Sequence, residues 1–182
     1  MDGEAVVTVR CEGYFKGLKA ENMFKMMQDI STRTKWDPLP KQLKLIEQLT
    51  ANSDVIYTEA NLPFPISNRD YVQERLYIDS KKDAELVKKL DLFDLKNRYF
   101  VLMVKSIDRS DYPSQDKLVR GETKLNYWFI QEDPNDSGSL RLLVVQCQDL
   151  KGIIPTMLVN KLAGTFPHKI IGALLDNYPK LF

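Results

Sequence analysis

The residues with the clearest capacity for chemistry are an oppositely charged pair, Arg33 and Asp37, around Trp36. Their i, i+4 spacing would place both side chains on one face of a helix, although Pro38 disfavours helical geometry at Asp37. On a surface, such a pair contributes less than about 1 kcal/mol. In a cavity, the arginine could hold a phosphate through forked hydrogen bonds, and the aspartate could lie near a cationic amine. The pattern therefore fits either a surface ion pair or a site for a zwitterionic ligand.

A second feature is a proline-rich segment, residues 62–72, with the sequence LPFPISNRDYV. The two prolines around Phe64 fix two φ angles and remove two backbone donors, which predicts a stiff loop. Its apolar tip, which includes Phe64 and Ile66, either packs into the core or is exposed as a gate or a membrane-facing edge. Tyr71, just after the loop, could offer a ring face to a cation.

Motifs for catalysis or metal binding are missing from the sequence. It has no G-x-S-x-G, no phosphate-binding glycine pattern, no H-E-x-x-H and no paired cysteine motif. Cys11 and Cys147 each lie in an apolar run without a metal-ligand neighbour, which predicts buried free thiols in a reducing compartment. The single histidine, His168, falls in a predicted helix and is expected to be structural. We therefore expect no catalytic residue, metal or cofactor, and a protein that is not an enzyme.

Composition favours one ordinary globular domain over residues 1–182. Of these residues 43% are hydrophobic and 28% are charged, and the formal net charge is +1, so no strong field favours a nucleic-acid partner. No apolar run reaches the roughly 20 residues that span a bilayer. The acidic start, MDGE, does not resemble a secretory signal. These features predict a cytoplasmic protein.

The hydrophobic pattern predicts consecutive strands and then one long helix. Strands are predicted at 5–14, 43–49, 55–60, 71–78, 99–107, 119–129 and 140–147, with helices at 20–30 and 153–178. Residues 80–97 are expected to form a solvated excursion in which residues 84–90 could be a short helix. Residues 133–138 are expected to be a hairpin connection. This order predicts an α+β domain in which helices cover one face of an antiparallel sheet.

The last predicted helix carries an apolar stripe, and Pro167 predicts a kink in it. The stripe is formed by Ile154, Leu158, Leu162, Phe166, Ile170 and Leu174. Its periodicity is compatible with simple core packing or with a lid that lines a lipid-sized cavity.

Three pieces of the sequence together resemble the START (steroidogenic-acute-regulatory-related lipid-transfer) domain, and within it the phosphatidylcholine-transfer-like branch. They are residues 33–37, Tyr57 with residues 62–72, and residues 152–160 with Pro167. The resemblance extends over roughly residues 6 to 181. It implies a helix-grip fold, in which a curved antiparallel sheet wraps around the long C-terminal helix and leaves an internal cavity for one lipid. It also implies lipid transfer or sensing without a chemical step, and transient peripheral contact with membranes.

The resemblance assigns roles to individual residues. It implies that Arg33 holds a lipid phosphate, with Asp37 and Tyr71 completing a head-group site. Thr58 and Lys124 stand where relatives place further rings of a choline cage, so another phospholipid fits as well as phosphatidylcholine. The residues implied for the gate and the cavity lining are Trp36, Phe64, Ile66, Ile154, Leu158, Leu162 and Phe166.

Other interpretations stay open at this point. The cavity could hold a sterol or another apolar ligand, with Arg33 and Asp37 as a structural pair. The chain could be a helix-grip enzyme such as a cyclase or hydrolase, or a protein-interaction module without a ligand. The usual N-terminal helix and first two strands of the fold have no counterpart before Val6, so we expect an open sheet edge. The sequence does not indicate an oligomeric state.

Overall fold

A computed structural model describes residues 6–92, 95–136 and 138–182 of the chain. In chain order its elements are β1 (Val6–Lys16), α1 (Ala20–Gln28), α2 (Ile30–Trp36), β2 (Pro40–Thr50), β3 (Ser53–Ala60), β4 (Arg69–Asp79), α3 (Ala84–Lys89), β5 (Tyr99–Ser106), β6 (Val119–Arg120), β7 (Glu122–Glu132), β8 (Ser139–Asp149) and α4 (Thr156–Leu181). The predicted α+β class is confirmed. Position 5 of the first predicted strand, positions 93 and 94 of the excursion and position 137 of the hairpin lie outside the described residues.

The described strands form one sheet in the order β1-β8-β7-β5-β4-β3-β2, with antiparallel neighbours. The short β6 pairs instead in parallel with the start of β4. The single strand predicted at 119–129 is therefore divided at Gly121. A Cβ atom on Gly121 would lie 2.4 Å from the ring of Tyr71, so only glycine lets the chain pass that ring.

The main core lies on the face of the sheet that α1 and the C-terminal half of α4 cover. Met23, Met26 and Met27 of α1 meet Ile170, Leu174 and Tyr178 of α4 there, together with inward side chains of the central strands. On the opposite face, Leu86 and Val87 of α3 pack beside Ile78 and Val101. The described part of the excursion is largely exposed, as expected, and contains the expected short helix, from which Leu86 and Val87 are half-buried against the outer face of the sheet.

The helix predicted at 20–30 ends earlier, because Asp29 starts a second helix. The backbone of Asp29 is extended, and its carboxylate accepts hydrogen bonds from the backbone N–H of Ser31 at 2.9 Å and from the Thr32 hydroxyl. This arrangement is an N-cap for α2. It places Arg33 on a separate short helix beside the sheet.

The two halves of the long helix α4 pack against different hydrophobic clusters. Ile170, Leu174 and Tyr178 belong to the main core, and the Tyr178 hydroxyl accepts a hydrogen bond from the Lys19 backbone at 2.8 Å. The N-terminal half instead rests on a second, smaller cluster. This second cluster consists of Val7, Leu150, Ile154 and Leu162, with Val9, Ile66, Leu158, Val159, Ala163 and Phe166 packed against it. Pro167, which has no N–H to donate, lies between the two halves.

None of the described helices is long and apolar enough to cross a membrane.

Candidate functional site

A narrow cavity of about 90 Å³ lies between α2, α4 and the inner face of the sheet. Its polar lining is formed by Arg33, Asp37, Thr58, Asn61, Tyr71, Gln73, Arg75, Asn126, Gln146 and Gln148, and its apolar lining includes Leu39, Leu43, Ile56, Leu62 and Phe166. Small-molecule sites usually enclose roughly 300–1,000 Å³. A ligand of lipid size therefore requires the walls to move apart.

Arg33 and Asp37 form a partly buried ion pair on this cavity. The Nε atom of Arg33 donates to Oδ2 of Asp37 at 2.9 Å, and Oδ1 of Asp37 accepts the backbone N–H of Leu39 at 3.0 Å. Asp37 is just past the end of α2, yet its own N–H still donates to the carbonyl of Arg33 at 2.9 Å, which keeps the i, i+4 geometry. Within the described part of the chain, the two terminal nitrogens of Arg33 hydrogen-bond no protein atom. Asp37 thus fixes the guanidinium of Arg33, while the two terminal nitrogens of Arg33 have no hydrogen-bond partner in the described part of the protein. The alternative of a surface ion pair is wrong.

A second guanidinium, which the sequence interpretation missed, also lines the cavity. Arg75 on β4 donates from Nε and Nη2 to the two carboxylate oxygens of Asp54, at 2.8 and 2.7 Å. The side chain of Arg75 is only 1% exposed, and its Nη1 has no hydrogen-bond partner among the described atoms. The strand alternation that places Val72, Leu76 and Ile78 on one face could have identified it, because Arg75 falls on the other face together with Tyr71.

The Tyr77 hydroxyl completes the set of donors around Asp54, to which it donates at 2.7 Å. Burial, together with the hydrogen bond to Asp54, raises the pKa of Tyr77 above its ordinary value. The hydroxyl is therefore protonated at neutral pH. Since three donors already occupy Asp54, its carboxylate has little capacity left for a ligand.

The neutral polar side chains of the lining largely satisfy one another. Gln73 accepts from the Thr58 hydroxyl at 3.2 Å and donates to the Thr123 hydroxyl at 2.7 Å. The side-chain oxygen of Asn126 accepts from Trp128 at 2.8 Å and from Gln146 at 3.3 Å. Among the charged groups of the described lining, the carboxylate of Asp37 accepts two hydrogen bonds and keeps some acceptor capacity, whereas Arg33 and Arg75 keep donors without a protein partner. Such a site fits a ligand that brings acceptor oxygens for the two arginines.

Tyr71 lies on the cavity as expected, buried against Gly121. Burial raises the pKa of Tyr71, so its hydroxyl is also neutral. Thr58 lines the cavity as well, whereas Lys124 is exposed and does not. The only rings in the described lining are those of Tyr71 and Phe166. A bound cation would therefore meet at most two aromatic faces.

Of the residues expected to form the gate and the cavity lining, Phe166 alone belongs to the described lining. Ile66, Ile154, Leu158 and Leu162 join the second cluster, whereas Phe166 reaches both that cluster and the cavity. Phe64 is 96% exposed, so the interpretation that packs it into the core is wrong. Trp36 does not line the cavity. It is buried in the main core, where its Nε1 donates to the carbonyl of Met26 at 3.2 Å.

The remaining candidate groups stand apart from this site. His168 is exposed on α4. Cys11 and Cys147 are free thiols, as expected, but both are partly buried rather than buried, and burial raises the pKa of Cys11. Among the described residues no cluster of three or more His, Cys, Asp or Glu side chains could hold a metal ion.

An antiparallel sheet that closes around a long C-terminal helix, with a cavity between them, is the helix-grip arrangement. The family model of the START domain matches residues 8–169. This chain therefore belongs to the START-domain family.

Comparison with known proteins gives relatives of the same kind. The chain is 27% identical over 153 residues to human START domain-containing protein 10, which covers 84% of this chain and 46% of that protein. It is 26% identical over 148 residues to mouse phosphatidylcholine transfer protein, covering 81% and 62% of the two chains. The crystal structure of human STARD10 superimposes with a TM-score of 0.74 at 26% identity, over 95% of this chain and 64% of that one. The chain thus spans about half to two thirds of the length of these relatives.

Proposed function

We propose that this chain binds one glycerophospholipid in the cavity and carries it between membranes, with the lipid phosphate held by Arg33. The observation that carries the proposal is the hydrogen bonding of the Arg33 guanidinium. One carboxylate fixes its Nε, while its two terminal nitrogens have no partner within the described residues. A phosphate brings several strong acceptor oxygens, and guanidinium–phosphate hydrogen bonds are about twice as strong as neutral ones.

Arg75 supports the same ligand class. A buried donor without a partner costs roughly 1–3 kcal/mol, and a ligand oxygen at Nη1 would remove that penalty. Two arginines balanced by Asp37 and Asp54 leave no net charge, so a zwitterionic lipid would leave the site neutral. Phosphatidylcholine, the lipid in the name of one relative, meets this condition. Because Tyr71 and Phe166 are the only rings of the described lining, we expect weak discrimination between choline and ethanolamine head groups.

Uptake requires α4 to move, because the cavity is much smaller than a phospholipid. The N-terminal half of α4 is the part that can move, since it packs on the second cluster and not on the main core. Exposed apolar side chains lie within two residues of members of this cluster in the sequence: Phe64 is 96%, Ile153 is 89% and Met157 is 75% exposed. Such a patch is suited to transient contact with a membrane surface. We propose a cytoplasmic carrier that performs no chemical step.

The test is lipid extraction from phosphatidylcholine vesicles, followed by native mass spectrometry of the protein. We expect one phospholipid per chain. Arg33→Ala should lower phospholipid uptake by about 10- to 100-fold more than diacylglycerol binding, the value of a charged hydrogen bond. Any loss common to both lipids reflects the stability lost when the buried carboxylate of Asp37 loses its cation. Arg141→Ala, which removes a partly exposed guanidinium that pairs with Glu12 and does not line the cavity, is the control and should behave as the wild type.

Two results would overturn the proposal. Phospholipid uptake by Arg33→Ala equal to that of the wild type would remove Arg33 from the head-group site. Displacement of every bound lipid by a sterol, with no effect of Arg33→Ala, would make the pair with Asp37 structural and the ligand apolar.

A further inference from the structure

A second buried arginine, Arg69, does not line the cavity but contacts Leu150, which does. It is the first residue of β4 and is 3% exposed. Its Nε donates to the carbonyl of Leu150 at 2.8 Å, its Nη2 to the carbonyl of Lys151 at 2.9 Å, and its Nη1 to the carbonyl of Ser67. No described carboxylate forms a salt bridge with it. Among the described residues, Arg69 is therefore a buried cation held by neutral carbonyl groups and by no carboxylate.

These carbonyls belong to two segments that are distant in sequence. Ser67 lies in the proline loop (residues 62–68), and Leu150 and Lys151 begin the α4 connection (residues 150–155). Lys151 and Gly152 both have left-handed backbones, with φ of 51° and 75°. The connection turns directly over the guanidinium, since Nη2 lies 3.7 Å from the Cβ position of Gly152. A single side chain thus ties the proline loop to the start of α4.

Hydrophobic contacts also join the two segments that Arg69 connects, the proline loop and the α4 connection. Ile66 of the proline loop packs against the second cluster, which contains Leu150 and Ile154 of the α4 connection. The N-terminus of α4 has no side-chain cap. By contrast, the C-terminal half of α4 is anchored in the main core through Ile170 and Leu174. The N-terminal half is therefore held over the cavity chiefly by the second cluster and by Arg69.

We propose that Arg69 is a positioning residue that latches the proline loop to the α4 connection and so controls the rate of lipid uptake and release. This inference rests on the proposed function. The partners of Arg69 make the latch reversible. Opening loses three hydrogen bonds to carbonyls but returns a desolvated charge to water, which offsets part of that loss.

The experiment compares Arg69→Gln and Arg69→Lys in the full chain, preloaded with a fluorescent phosphatidylcholine and mixed with acceptor vesicles. Glutamine cannot bridge the three carbonyls, so we expect release about tenfold faster, the equivalent of one or two lost hydrogen bonds. Lysine keeps the charge without the fork and should give an intermediate rate. The preference for phospholipid over diacylglycerol should stay unchanged, because Arg69 does not line the cavity.

Amide hydrogen exchange separates a latch from general destabilisation. In Arg69→Gln, exchange should accelerate together in residues 62–68 and 150–160, and not in α1. Arg98→Gln is the matched control, because Arg98 is another poorly exposed guanidinium, bound to Asp79 and Glu21 away from the cavity lining. It should lower overall stability without a selective effect on those two segments.

An unchanged or slower release rate, or exchange that rises uniformly as in Arg98→Gln, would overturn the latch. If Arg69→Gln does not fold, Arg69→Lys decides the question through the same two measurements. A wild-type chain that takes up no phospholipid would overturn the proposed function, while hydrogen exchange would still show whether Arg69 holds the two segments together.

Discussion

Arg75 and Asp54 form a buried ion pair through two hydrogen bonds, from Nε to Oδ1 at 2.8 Å and from Nη2 to Oδ2 at 2.7 Å. The relationship parallels that of Arg33 and Asp37, where a carboxylate also holds the guanidinium and leaves part of it without a protein partner. Both arginines line the same cavity. In each pair the carboxylate orients the guanidinium and leaves at least one of its nitrogens without a partner among the described protein atoms.

Removing Arg75 alone should strongly destabilise the protein. Arg75→Met leaves the carboxylate of Asp54 buried without its cation, which we expect to lower the free energy of unfolding by about 3–5 kcal/mol. The double variant Asp54→Asn with Arg75→Met removes that charge and keeps an acceptor for the Tyr77 hydroxyl, so it should recover most of the loss. Urea unfolding monitored by circular dichroism measures both values.

The double variant also tests the ligand role of Arg75, because it separates binding from stability. Its phospholipid uptake should fall several-fold, and its diacylglycerol uptake should not. A double variant as unstable as Arg75→Met would contradict the ion-pair account, and one with wild-type phospholipid uptake would remove Arg75 from the head-group site.

Substitution of Gly121 should destabilise the protein because of the neighbouring ring of Tyr71. In Gly121→Ala the new Cβ would lie 2.4 Å from the Tyr71 ring, so either the ring or the strand must shift. We expect a loss of about 1–3 kcal/mol in the free energy of unfolding, as for other overpacked sites. Near-ultraviolet circular dichroism should change as well, since the environment of Tyr71 changes.

The matched control is Gly164→Ala in α4, where a Cβ would meet no atom within 4 Å. Alanine is favoured over glycine inside a helix by up to about 1 kcal/mol, so this variant should be as stable as the wild type or more stable. Equal effects of the two alanines would show that the contact with Tyr71 is not what limits position 121.

Elements with a clear hydrophobic period could be predicted from the sequence. The alternation of the strands and the apolar stripe of α4 identified the sheet and the final helix, because burial on one face imposes that period. The helix α2 was missed, because its seven residues, Ile30–Trp36, carry no apolar stripe and depend on the cap at Asp29. The parallel pairing of β6 was missed as well, since it joins Asp70 to Arg120 across 50 residues.

Some residues of the candidate site could likewise be predicted from the sequence, and others could not. Arg33 and Asp37 are four residues apart, so local spacing could reveal their ion pair. Arg75 and Asp54 are 21 residues apart and meet only because β3 and β4 pair. Trp36 could not be placed from its position three residues after Arg33, because the orientation of α2 decides which side chain faces the core and which faces the cavity.

The exposed apolar side chains near the second cluster should contribute to membrane contact and not to folding. Phe64→Ser and Met157→Ser remove side chains that are 96% and 75% exposed, so each should change the free energy of unfolding by less than about 0.5 kcal/mol. Full burial of such a side chain is worth about 1.5–3 kcal/mol, so vesicle binding should weaken by about tenfold. Co-sedimentation with vesicles measures the binding.

The control for these variants is Tyr14→Ser. Tyr14 is 68% exposed, and it lies toward the opposite end of β1 from Val7, a member of the second cluster. Its removal should leave vesicle binding unchanged. Equal weakening by Tyr14→Ser would mean that exposed apolar area in general, and not this patch, drives membrane contact.

The cap of α2 should make stability depend on pH in the acid range. Hydrogen bonds from Thr32 and Ser31 lower the pKa of Asp29 below its ordinary value, although partial burial opposes the shift. A carboxylate whose pKa is lower in the folded state stabilises the protein fully above its ordinary pKa of about 3.9, and this stabilisation is lost as the pH falls through the folded-state pKa. Asp29→Ala should therefore lower the free energy of unfolding by about 0.5–2 kcal/mol at pH 7.

The difference between the wild type and Asp29→Ala should shrink as the pH falls from 4 toward the folded-state pKa, and urea unfolding at several pH values measures it. Asp29→Asn retains an acceptor for the N–H of Ser31 but no charge, so it should lose less stability than alanine, and its own cap should not titrate. Since α2 carries Arg33, Asp29→Ala should also lower phospholipid uptake at pH 7. A difference from the wild type that stays constant down to the lowest pH at which the protein folds would show that the Asp29 carboxylate does not support α2.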